Sequence, residues 1–286
     1  MHLHRDTRIL IVGLGLLGGS YAMALKKKGF RCIYGFARRK ETVDYAFEHG
    51  MIDEGSHEID EELIARAEMI VFALYPTILL QWMKDYGHLI RPGTVVTDVT
   101  GVKSCIVKPV TDALPQGAEF VSVHPMAGKE TGGIENADDR IFDGANYIVV
   151  PTEQNTEEAI RLCEDLGREL GFGRISRLSP AEHDDMIAFL SQLTHCVAVS
   201  LMCASDDDRL VAYTGDSFRD LTRIARINDE MWSELFLLNK EALLRQMDTF
   251  LGQVHKMRDL LEAEDRNGLR EMMKISTARR AKFDKK

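Results

Sequence analysis

Arg8-Ile9-Leu10-Ile11-Val12-Gly13-Leu14-Gly15-Leu16-Leu17-Gly18-Gly19-Ser20 is an apolar run that ends in G-x-G-x-x-G and passes directly into a helical pattern through residues 21–28. Each glycine answers a separate demand. Gly13 permits a tight turn, Gly15 lets the backbone approach a pyrophosphate, and Gly18 lets helix and strand pack closely, while the helix start offers unpaired N–H groups and partial positive charge to the anion. The spacing alone is a weak signal, since an ordinary strand-turn-helix carries it too. The strand before it and the helix after it supply the missing context. Gly13, Gly15, Leu16, Leu17 and Gly18 are therefore read as a cofactor-binding loop.

Outward from this loop, strand patterns recur at 32–36, 69–74, 94–99, 119–124, 146–150 and 174–177, with helical patterns at 40–49, 77–89, 103–114 and 156–170 between them. That alternation predicts an α/β fold, a Rossmann-type, doubly wound, mostly parallel sheet. After Ser179-Pro180 the strands stop, and amphipathic segments run through 181–203 and 231–262, where Leu243, Met247, Phe250, Val254, Met257 and Leu261 keep helical spacing. The expected organisation is a dinucleotide-binding domain over 1–178, then an all-helical domain over 179–286, with the active site in the cleft. The apolar stripe is either the core of the second domain or a seam between two copies. A homodimer is expected by analogy with other helical second domains.

Composition narrows the function classes. The 286 residues are 45% hydrophobic and 28% charged, enough for two modest globular domains. No apolar run approaches bilayer-crossing length, and Met1-His2-Leu3-His4-Arg5-Asp6 lacks a signal-peptide core, so no membrane partner and a cytoplasmic location are expected. The five cysteines are odd in number and lack a C-x-x-C pair, which reads as small buried side chains and neither disulfides nor zinc. A net charge of −9 argues against nucleic acid. Asp206-Asp207-Asp208 reads as a solvated segment, because consecutive carboxylates diverge, and no metal is expected. The Lys/Arg-rich end reads as a solvated tail.

The second strand decides the dinucleotide. Enzymes that use NAD place a carboxylate at its end to accept from the ribose 2′-hydroxyl; here that end reads Ala37-Arg38-Arg39. Guanidinium forks suit a 2′-phosphate, so NADP is expected, with NAD as the alternative if both arginines are plain surface charges. A second segment, Val121-Ser122-Val123-His124-Pro125-Met126-Ala127-Gly128, puts a histidine at a strand's C-terminal end. Open α/β sheets bind ligands at that edge, so His124 is read as catalytic and not as a structural histidine.

With these residues in view, the chain resembles the prephenate and arogenate dehydrogenase (TyrA) family over nearly its whole length. The glycine loop and His124-Pro125-Met126-Ala127-Gly128 are joined by Asp98-Val99-Thr100-Gly101-Val102-Lys103, Leu190-Ser191-Gln192-Leu193-Thr194-His195 and Asp216-Ser217-Phe218-Arg219-Asp220-Leu221-Thr222-Arg223-Ile224-Ala225. The resemblance implies oxidative decarboxylation of a cyclohexadienyl acid with hydride transfer to a nicotinamide. Prephenate is the first choice of substrate, arogenate or both the alternative. It also implies His124 as general base, Arg219 as the anchor of a substrate carboxylate, His195 and Ser191 as substrate contacts on one helix face, and Glu130 and Asp216 near the pocket. The chain departs from the family's commonest pattern at Gly101, where many members carry a serine, and at Gln192 and Thr194, where many carry S-H-L-P-H. Thr100, or else a water, is expected to supply the missing hydroxyl. With the sequence ending near Phe283, no appended ACT domain is expected. Two rival readings stay open: another NADP-dependent dehydrogenase of this two-domain plan, such as a β-hydroxyacid dehydrogenase or imine reductase, and a non-catalytic NADP-binding protein.

Overall fold

The structure, a computed structural model, describes residues 2–129 and 131–283. In chain order, β1 (Ile9–Val12), α1 (Leu16–Lys27), β2 (Ile33–Phe36), α2 (Lys40–Glu48), β3 (Glu54–Ser56), α3 (Glu61–Arg66), β4 (Met69–Phe72), α4 (Pro76–Tyr86), β5 (Val95–Asp98), α5 (Ser104–Ala113) and β6 (Glu119–Phe120) build the first layers. The six strands form one parallel sheet in the order β3-β2-β1-β4-β5-β6. Successive residues of β1 feed opposite cores: Ile9 and Ile11 pack with α1 on one face, Leu10 and Val12 with Leu79, Trp82 and Ile106 on the other. Both faces are covered, which is why β1 reads as an unbroken apolar run. The strand order reverses at β1 and β4, opening a crevice at their carboxyl ends where Gly13 lies.

The expected strand over 119–124 is two strands in two sheets, which corrects the single-sheet expectation. β7 (Ser122–Pro125) pairs antiparallel with β8 (Asn146–Val150), β8 pairs parallel with β9 (Arg174–Arg177), and α6 (Glu157–Leu170) packs against this second, three-stranded sheet. The cause is a side chain. Val121 N–H still donates to Val96 O, but Asp98 at the end of β5 then takes over: its Oδ1 accepts from Ser122 Oγ at 2.6 Å and from Val123 N at 3.1 Å. A carboxylate thus satisfies the strand where the ladder ends. The short β3 and α3 were not part of the sequence reading.

From Ser179, whose side chain and Glu182 form a capping box, the described chain is helical: α7 (Pro180–Ile187), a π-helical turn over Ala188–Leu193, α8 (Thr194–Cys203), α9 (Asp216–Thr222), α10 (Asp229–Leu238), α11 (Lys240–Glu262) and α12 (Arg266–Arg280). The amphipathic stretch 231–262 breaks at Asn239, whose buried Nδ2 donates to Asp184 O at 2.9 Å and to Gln192 Oε1 at 2.8 Å. Residues 180–203 run as one helix that is long and apolar enough, by length and composition, to cross a bilayer, and only 28% of its most apolar window is buried. That corrects the expectation that no segment reaches such length. The cysteine reading also needs correction: Cys163 alone is buried, Cys203 is exposed, and Cys32, Cys105 and Cys196 lie between. Asp207 caps a short 3-10 helix by accepting from Arg209 N at 3.0 Å.

Candidate active site

The glycine loop has the shape its spacing predicts. Gly13 sits at φ +102°, and a Cβ there would lie 2.4 Å from Ala73 O. A Cβ on Gly18 would lie 1.9 Å from Gly13 O, so only a bare backbone lets α1 cross this closely. Gly15 differs: a Cβ there would meet nothing within 4 Å, and the residue begins α1 without any side-chain cap. The helix start therefore presents its N–H groups to open space, beside the partly accessible Leu16 and Leu17. This cradle fits a dinucleotide pyrophosphate. At the end of β2, Ala37 is buried while Arg38 and Arg39 are exposed, and among the described residues neither guanidinium has an ion-pair or hydrogen-bond partner.

His124 stands in β7 opposite Ile148, on the strand that Asp98 diverts. Its backbone is held from behind: the fully buried Lys103 ammonium donates to Val123 O at 2.6 Å and to Asp98 Oδ2 at 2.8 Å. Its ring is partly accessible, and Nδ1 lies 2.8 Å from Nε2 of His183. His183 is fully buried, and its own Nδ1 lies 2.8 Å from Asp184 Oδ1. Asp184 in turn accepts from the Lys103 and Ser104 backbone N–H groups that open α5, at 2.9 and 2.8 Å. Burial, followed by the neighbouring His183 and Lys103, pushes the His124 pKa well below the ordinary histidine value, so its ring is neutral at neutral pH. Such a ring can take a proton from a hydroxyl.

Thr100 does not fill the place expected of it. Its hydroxyl is buried and committed to Asp98 Oδ2 and to Val102 O, so the polar partner of the His124 ring is His183. A Cβ on Gly101 would come 3.6 Å from Leu235 Cδ1 and 3.9 Å from His124 Cε1. An α10 leucine therefore occupies the neighbourhood where a serine side chain would project. Gln192 is tied to the same residue, donating to Leu235 O at 3.0 Å. On the next turn of α10, Trp232 stacks on the His195 ring at a centroid separation of 3.7 Å, and His195 Nδ1 lies 2.9 Å from Ser191 O. Thr77 N donates to Glu234 on α10 at 2.8 Å, which seats that helix on the start of α4. So α10 brings the His124 and His195 neighbourhoods against one helix.

Arg219 and Asp216 form an ion pair of 2.8 Å with side chains 60% and 93% exposed, and the other partner of Arg219 is Thr214 in the same segment. Within one chain they lie on the surface, not in a closed pocket. Glu130 lies outside the described residues. Asp98 and Lys103 were quoted only as the ends of a motif, with no role given, and His183 and Asp184 were not singled out, although His183-Asp184, placed one turn after a capping box at the start of an apolar helix, was a visible signal.

The profile of the prephenate dehydrogenase nucleotide-binding domain matches residues 21–175, and that of the prephenate dehydrogenase dimerization domain matches residues 179–275. The prephenate dehydrogenase of Bacillus subtilis is 30% identical over 277 residues, covering 94% of this chain and 74% of the relative. The cyclohexadienyl dehydrogenase of Zymomonas mobilis is 28% identical over 275 residues, covering 94% and 93%. Among solved structures, prephenate dehydrogenase from A. aeolicus in complex with hydroxyphenyl propionate and NAD+ superimposes with a TM-score of 0.90 at 28% identity, over 99% of this chain and 100% of that one. These matches span both the sheet part and the helical part, and the chain belongs to the prephenate dehydrogenase family.

Proposed function

We propose that this chain is a prephenate dehydrogenase that converts prephenate to 4-hydroxyphenylpyruvate and CO₂, with residues 1–178 holding the cofactor and residues 179–286 the substrate and a second copy of the chain. The observation that carries the reading is His124: a neutral imidazole at a strand end, its ring held 2.8 Å from His183. A nicotinamide cofactor held at the Gly13–Gly18 loop would supply the acceptor for the hydride that leaves C4 of the ring. His124 accepts the proton of the C4 hydroxyl as the C4 carbonyl forms. The C1–carboxylate bond then breaks, its electrons aromatise the ring, and the phenolate oxygen regains a proton, so that His124 ends neutral. Arg219 anchors a substrate carboxylate through its fork, with Asp216 beside it, while Ser191 in the π-helical turn and His195 at the start of α8 contact the substrate.

NADP is the proposed cofactor, because Ala37 offers no carboxylate to oppose a 2′-phosphate and, among the described residues, the exposed Arg38 and Arg39 forks that follow it have no ion-pair partner. The test is an initial-rate assay of prephenate and arogenate against NAD and NADP, with products identified. The expected result is the highest kcat/KM for prephenate with NADP. A higher value with NAD overturns the cofactor assignment, a higher value with arogenate reassigns the substrate, and turnover of neither acid overturns the function.

A further inference from the structure

Three acceptors and donors in a row define where the protons sit on the two histidines. Asp184 is a carboxylate: burial works to raise its pKa, but hydrogen bonds from His183 and Ser104 outweigh it and the net shift is downward. An ionised carboxylate can only accept, so the proton in its 2.8 Å contact belongs to His183 Nδ1. Burial keeps the His183 ring neutral against the pull of Asp184, which leaves His183 Nε2 bare. That nitrogen can only accept in turn, so the proton in the 2.8 Å contact between the rings belongs to His124 Nδ1. The neutral His124 is then bare at Nε2. The remaining charged groups of this cluster, Lys103 and Asp98, are paired with each other at 2.8 Å and do not compete for either ring.

The geometry points to Asp184 and His183 as positioning residues: through two imidazoles in series, the carboxylate fixes the tautomer of His124 so that Nε2 is its proton-accepting atom. The same contacts place His183 against the imidazolium that forms when His124 gains a proton, with the Asp184 charge one ring away. This rests on the reading of His124 as the base of the proposed reaction. It goes beyond that reading in naming which nitrogen acts and what selects it. No side chain of Gly101 or hydroxyl of Thr100 is available for the task.

The test is long-range 1H–15N correlation of the 15N-histidine-labelled full chain, with steady-state kinetics on the same samples. In the parent protein, His124 and His183 are both expected to carry their proton on Nδ1; a His124 proton on Nε2 overturns the proposal without any variant. In His183→Phe, His124 is expected to lose its single tautomer and kcat to fall on the order of 10²-fold with substrate KM little changed, as for a general base left unoriented. In Asp184→Asn, the amide can donate to His183 Nδ1, reversing both tautomers and moving the His124 proton onto Nε2. An unchanged tautomer and unchanged kcat in a folded His183→Phe protein overturn the proposal. A parent protein that shows the Nδ1–H tautomer yet turns over neither cyclohexadienyl acid supports the tautomer relay while overturning the proposed reaction.

Discussion

At the scale of single residues, the role proposed for His124 needs a neutral ring, and its surroundings arrange for that. Burial, then His183 and Lys103, lower its pKa from 6.5. The sign follows directly: a lowered pKa keeps the imidazole neutral to lower pH, so the loss of the base on protonation moves in the acid direction. The expected kcat/KM profile stays level from neutral pH past 6.5 and falls only below it. An acid limb centred at or above 6.5 would show that burial does not govern this ring. His124→Asn is expected to lower kcat by roughly 10²–10⁴-fold, with NADPH affinity in a fluorescence titration unchanged. His124 was legible in the sequence because it follows an alternating strand and precedes Pro125 and glycines. His183 was not, because a buried histidine on an apolar helix looks like core until its contacts with the adjacent Asp184 and with His124, 59 residues away in the chain, are seen.

At the scale of elements, the turn from β1 into α1 separates packing from binding, since two of its glycines serve different ends. A methyl on Gly18 would strike the Gly13 carbonyl, a backbone atom that cannot step aside, so Gly18→Ala is expected to destabilise the fold by about 1–3 kcal/mol. A methyl on Gly15 would meet open space, and its φ of −89° suits alanine. Gly15→Ala is therefore expected to keep the melting temperature while weakening NADPH binding at least about tenfold, the cost of holding the pyrophosphate off the helix start. Thermal unfolding and NADPH titration of both variants check this; equal melting temperatures for the two would refute the division of labour. Local elements such as this turn could be read because strand, glycines and helix are contiguous. The split of 119–124 could not: Phe120-Val121-Ser122 carries no glycine or proline, and the break is imposed by Asp98, which lies more than twenty residues upstream. The same holds at Asn239, an ordinary polar residue in an amphipathic run until its bonds to Asp184 and Gln192 are formed.

At the scale of the whole molecule, the two parts differ in how they earn stability. Both large buried clusters are made of residues no later than Phe172, whereas α9, α10 and α12 bury no residue fully. In the helical part Leu244, Phe250, Leu251, Val254 and Leu261 stay between 37% and 60% exposed on α11, a row of large apolar side chains along one long helix. Apolar surface of this extent is rare on a protein that works alone, and the sequence match to a dimerization domain covers the same helices. The alternative left open by periodicity, that the stripe is the internal core of one chain, does not suit side chains this exposed. A second copy laid along α11 would cover them and the bare flank of the 180–203 helix. Placing aspartates at Phe250 and Val254 would then bury two carboxylates in that seam, each desolvated without a partner. The parent protein is expected to sediment at twice the mass of the chain at micromolar concentration, and the doubly substituted protein at the mass of one chain with a lower melting temperature. A parent boundary at the mass of one chain would refute the seam. If the exposed Arg219–Asp216 pair serves a site completed by the second copy, the monomeric variant also loses turnover while retaining NADPH binding, because the glycine loop lies wholly in the sheet part.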